Sequence, residues 1–229
     1  MENQSTTRPF RSRKVRAILA GGLVLGVGAV FTLAAWTDNE WVFGQNDAGT
    51  GGPGTKTYQM EQNTWTGTAG AASWSDQGSK NGGALTFAVN ADKLVPGSTV
   101  YAPMQLRAAA GSEALTATLA EGVQATPVVD PTNNSALYAA LTYSAKSGVT
   151  KAQCNAAGFS ANGAVLVAAG QPLTATSATP ISLPAGPDAA TAGTGVDVCL
   201  AITLPTTADP SLQGKKTTPL WRFTSTVGS

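Results

Sequence analysis

Residues 196–204, VDVCLAITL, limit the fold more tightly than any other stretch of the chain. Val196, Val198, Leu200, Ile202 and Leu204 fall on one side, and Asp197, Cys199, Ala201 and Thr203 on the other. A period of two marks a half-buried strand, because successive side chains of an extended backbone point to opposite faces. The same alternation runs through Leu85, Phe87 and Val89, through Val100, Ala102, Met104 and Leu106, and through Leu115, Ala117 and Leu119. It returns in Leu137, Ala139, Leu141 and Tyr143, and in PLWRFTSTV near the end, where Trp221 and Phe223 share a face. Gly, Pro, Asn or Asp interrupts each run at the spacing expected of sandwiches. Helical periodicity is scarce by comparison. Its best candidate is GVTKAQCNAAG at 148–158, Ala-rich and ended by Gly158. Residues 171–195, rich in Pro, Thr and Ala, read as a long surface loop. No period of 20 to 50 residues stands out, which argues against solenoids and propellers. The pattern predicts an all-β, jelly-roll-like antiparallel β-sandwich over residues 57–229 with one or two short helices.

The charges of the 229-residue chain divide unevenly. Arg8, Arg11, Arg13, Lys14 and Arg16 against Glu2 give the first 35 residues a net +4, while nine basic and twelve acidic residues leave the remainder at −3. No basic patch is left in the body for nucleic acid. The uncharged run AILAGGLVLGVGAVFTLAA at 17–35 follows the basic cluster in the layout of an export signal, ending in small residues that suit a peptidase pocket. Nineteen residues also suffice for a membrane-spanning helix, so the reading leaves two fates open: cleavage after Ala35, or retention as an anchor. Membrane association is expected only through such an uncleaved leader. Beyond it, GQNDAGTGGPGTK at 44–56 lacks any apolar pattern and reads as a flexible connector. The expected organisation is therefore a signal helix over 1–35, an extended segment and linker over 36–56, and the sandwich over 57–229.

Several kinds of chemistry are excluded. The chain contains no histidine, which removes His-dependent nucleophile activation and the usual zinc-ligand sets. A carboxylate pair could still act as acid and base, but the twelve acidic residues of the body are scattered singly, which favours solvated loop positions. In GTGGPGTKT the lysine, Lys56, stands one place too late for a phosphate-binding loop, and no apolar strand leads into the glycines. DQGSKNGG at 76–83 offers only Asp76 and Asn81 as oxygen donors and fails as a calcium loop. LPTTA at 204–208 resembles a sortase signal, but a polar, strand-like tail follows it. Neither an enzymatic activity nor a cofactor is expected. Two cysteines remain, Cys154 and Cys199. In an exported chain they suit one disulfide, with two buried thiols as the other outcome. Trp36, Trp41, Trp65 and Trp74 crowd the front of the exported chain, where they suit either burial or stacking on sugars.

The leader together with AAWTDNEW resembles the export signal cleaved by the SipW type of signal peptidase, in which alanines precede an aromatic, a small polar residue and Asp, as Trp36, Thr37 and Asp38 do here. Cleavage would then fall between Ala35 and Trp36. DKLVPGSTVYAPMQLRAAAGS at 92–112 and PSLQGKKTTPLWRFTSTV at 210–227 are similar to segments of the TasA and camelysin family that uses this signal, with Ser98 standing where that family has Asp. The resemblance implies a secreted or cell-surface jelly-roll subunit of extracellular-matrix (biofilm) fibres, whose freed N-terminal segment adds as a strand to a neighbouring copy. The partners it implies are a SipW-type peptidase and further copies of the chain in an oligomer or filament. The donor residues would be Trp36, Trp41, Val42 and Phe43, acting by β-augmentation of an open sheet edge. WTDNEWVF also suits an ordinary first strand of its own domain. A monomeric surface module binding a carbohydrate or another ligand is the competing reading.

Overall fold

A computed structural model describes residues 57–79, 82–87 and 91–227, together with Gln45. The leader, the cleavage site at Ala35 and Trp36, the donor candidates Trp36, Trp41, Val42 and Phe43, and Val89 lie outside the described residues. The architecture below is that of the unit spanning residues 55–229.

Two antiparallel sheets make up this unit. The larger has the order β2 (Trp74–Ser75), β1 (Met60–Asn63), β3 (Thr99–Ala108), β8 (Val196–Thr203), β5 (Thr142–Ser147) and β6 (Ala164–Pro172). The smaller has the order β7 (Ile181–Leu183), β4 (Leu115–Gln124) and β9 (Pro219–Val227). From β3 onward the chain changes sheet at every step except β5 to β6, which gives the sandwich its jelly-roll-like path. The alternation in the sequence is spent as expected. Along β3 every second residue, from Val100 to Ala108, is buried while its neighbours stay partly exposed. Leu106, Leu115, Leu119, Leu183 and Leu200 meet in one core between the sheets, each almost wholly buried. At about 2 kcal/mol per buried large aliphatic side chain, this face-to-face contact is the main force holding the sheets together.

The central strand β8 buries both faces. Val198, Leu200 and Ile202 enter the core, whereas Cys199 points outward beneath residues 148–163 and bonds to Cys154 in a disulfide. Val149, Tyr101 and Phe159 close around that bond, with the Tyr101 and Phe159 rings 5.6 Å apart. Lys146 secures the same cover by donating from Nζ to the carbonyls of Phe159 and Asn162.

Leu85 and Phe87, expected on a strand, belong to none of the strands among the described residues, and three further local expectations are corrected. Leu137, Ala139 and Leu141 do not alternate on a strand, because α1 (Ser135–Ala140) occupies this stretch, with the Asn134 side chain accepting from the Leu137 N–H as its N-cap. Leu137 and Leu141 are four apart, so a helical face buries both as readily as a strand face would. Gly158 does not end a helix. It lies inside α2 (Ala156–Ala161), where a Cβ would clash with the Gln153 carbonyl. The supposed loop at 171–195 contains β7, whose Ile181 and Leu183 are buried.

Candidate functional site

A groove runs beside β9. Three strands cannot cover the inner face of six, since neighbouring strands lie only about 4.8 Å apart. The deficit leaves two neighbouring cavities of about 770 and 590 Å³ that share Phe87, Thr217, Thr218 and Pro219 in their walls. Met104, Leu106 and Leu200 from the large sheet and Trp221 and Phe223 from β9 line the first. Val100, Leu137, Leu141, Ile202 and Leu204 line the second, beneath a rim carrying Lys93, Lys215 and Lys216. These are core side chains left within reach of an occupant.

The backbone along this groove is as informative as its walls. β9 pairs on one side with β4, from Leu115–Val227 to Gln124–Pro219. On its other side, no backbone group of Pro219–Val227 is hydrogen-bonded to any described residue. Half of the peptide groups in a strand point to each side, so an open row of donors and acceptors faces outward. β6, the other long edge, is partly covered: Ala178 donates its N–H to the Leu166 carbonyl, and Thr179 its hydroxyl to that of Val165.

Aromatic packing stiffens the groove floor. Trp221 lies between Tyr143, with ring centroids 5.6 Å apart, and Phe87, at 6.2 Å. The Tyr143 hydroxyl donates to the Ala175 carbonyl, and burial, helped by neighbouring Tyr138, pushes its phenol up to about 12. Tyr143 therefore stays neutral at any working pH. The buried Trp221 Nε1 finds no hydrogen-bond partner among the described residues.

The tryptophans read as sugar-stacking candidates are otherwise engaged. The Arg107 guanidinium sits 4.2 Å from the Trp74 ring centre and pairs with Glu61 at 2.7 Å, while the benzo edge of Trp74 abuts Gly195. Lys151 Nζ lies 4.8 Å from the Trp65 ring centre and donates to the Gly70 carbonyl. Among the described residues no group of three or more Cys, Asp or Glu side chains is placed to hold a metal.

The signal for the groove's two sides was present in the alternation of β3, β8 and β9. That β9 has an uncovered edge among the described residues has no local signature, because an edge is defined by which strands pair with it. No family model, no curated protein and no solved structure matches this chain.

Proposed function

We propose that this chain is an exported, non-enzymatic structural subunit that self-associates by strand addition, the N-terminal segment of one copy entering the β9 groove of another. The observation that carries this reading is the edge of β9 left uncovered among the described residues, beside an opening lined by core side chains. Such an edge attracts a further strand, and its groove selects for apolar side chains.

Residues 36–43, WTDNEWVF, have the matching character. Eight extended residues span about 26 Å and the nine of β9 about 30 Å, so one covers the other. Trp36, Trp41, Val42 and Phe43 supply apolar anchors, and the connector at 44–56 has a root-mean-square span of about 20 Å, enough to reach a neighbour. Cleavage between Ala35 and Trp36 by a SipW-type peptidase would free the segment. Donation from one copy to the next does not close on itself and grows a filament. The resemblance to TasA and camelysin supports this assignment, as does a disulfide suited to an oxidising compartment. The competing ligand-binding reading has less support, because Arg107 and Lys151 occupy the ring faces it needs.

N-terminal sequencing of the exported protein, with electron microscopy of chains with and without residues 36–43, tests the proposal. The mature chain is expected to begin at Trp36, and the deletion to abolish filaments while leaving a folded monomer. Filaments that persist after the deletion refute strand donation.

A further inference from the structure

The β9 groove is not empty in the single subunit. Residues 82–87, GGALTF, lie across it, lining the first cavity, and Phe87 also lines the second. Their exposure alternates as a strand's does: Gly83, Leu85 and Phe87 are half-buried, while Gly82, Ala84 and Thr86 are exposed. Leu85 and Phe87 pack against the core, with Phe87 tilted against Trp221. The segment thus has the side-chain pattern of a strand in this groove.

Its backbone does not follow. Among the described residues, 83–87 make no backbone hydrogen bond to β9, β1 or any other element, and the segment joins neither sheet. Among the described residues the open edge of β9 stays unused and Trp221 Nε1 has no partner, and the first cavity remains against the segment while the second reaches Phe87. This occupant supplies apolar cover and forgoes the ladder. A strand lying in the same place and paired with β9 would supply both.

From this mismatch we infer that residues 82–87 are a replaceable internal plug, which shields the groove in the monomer and is exchanged for residues 36–43 of a second copy on assembly. The inference rests on the strand-addition reading above. It adds a regulatory step, in which assembly is limited by release of Leu85 and Phe87, so a newly exported subunit does not present a bare apolar groove. A binding-competent state that is only partly populated lowers apparent affinity by that fraction, and weakening the plug removes the penalty. The two glycines at 82 and 83 carry no side chain to anchor the segment, which leaves Leu85 and Phe87 as its holds.

The test uses the exported protein as a monomer and a fluorescent peptide of sequence WTDNEWVF. Phe87→Ser is expected to bind the peptide about tenfold more tightly than the parent and to shorten the lag before filaments form. A second variant, Leu85→Cys, keeps an apolar side chain and carries a single free thiol, since Cys154 and Cys199 are bonded to each other. Its labelling by maleimide is expected to accelerate several-fold when peptide saturates the groove. Peptide that binds parent and Phe87→Ser equally, or that leaves Leu85→Cys labelling unchanged or slower, overturns the exchange while leaving strand addition intact. Peptide that binds none of the three proteins overturns both.

Discussion

Replacing both cysteines, as Cys154→Ala with Cys199→Ala, tests the largest single constraint in the fold. The disulfide closes a loop between positions 45 residues apart. In the chain-entropy account a loop of that length removes about 13 cal/mol/K from the unfolded chain, or about 4 kcal/mol at room temperature. For a body of this size each kcal/mol moves the melting temperature by about 2–4 °C, so the double variant should melt about 8–16 °C below its parent. The structure says where the loss will appear first. Residues 148–163 hold only the 3₁₀ turn Lys151–Gln153 and the six-residue α2, both too short to persist alone, and they cover Tyr101 and the outward face of β8. Thermal melts by circular dichroism on oxidised, reduced and doubly substituted protein, with hydrogen exchange read over 148–163, make the measurement. A double variant that melts within about 2 °C of its parent, with unchanged exchange in that segment, would refute the argument.

Other outcomes follow from single contacts. Gly122→Ala on β4 would place a Cβ inside contact distance of the Leu173 carbonyl oxygen and against Trp221, and should cost about 3 kcal/mol in urea unfolding. Asn134→Ala removes the N-cap of α1 and should cost about 1 kcal/mol by the same assay. Hydrogen bonds from Lys215 and then Asn134 hold the Asp130 carboxyl below its ordinary range, despite its exposure. A depressed folded-state value contributes stability that is present above the ordinary carboxylate range and lost as pH falls through the folded value. Asp130→Asn should therefore flatten the acid side of the stability curve below about pH 4, read as the urea midpoint against pH.

How far the fold can be read from the chain differs from element to element. β3, β8 and β9 are legible because their apolar residues recur at a period of two over eight to ten residues, too long a run for coincidence. α1 was hidden because Leu137 and Leu141 satisfy both periods, and the deciding residue, Asn134, acts through a single cap. β7 was hidden because three residues cannot establish a period, and its register comes from pairing with Leu115–Ala117 of β4. Residues 82–87 are the inverse case: a correct alternation at Leu85 and Phe87 without a strand, since among the described residues their backbone pairs with no neighbouring strand. Trp65 and Trp74 looked available for stacking because nothing in the sequence joins them to Lys151 and Arg107, which approach from distant positions.

The chain's own order of residues determined the all-β character, the inward faces of the long strands and the suitability of Cys154 and Cys199 for one bond. Each of these depends on local periodicity or on composition. Tertiary structure alone decided that, among the described residues, six strands face three, β9 keeps one side uncovered, and Leu85 and Phe87 fill part of the resulting opening. The physical reason is that a strand's pattern tells which side chains seek burial, whereas an edge and a groove arise from the count and placement of strands across the whole sheet.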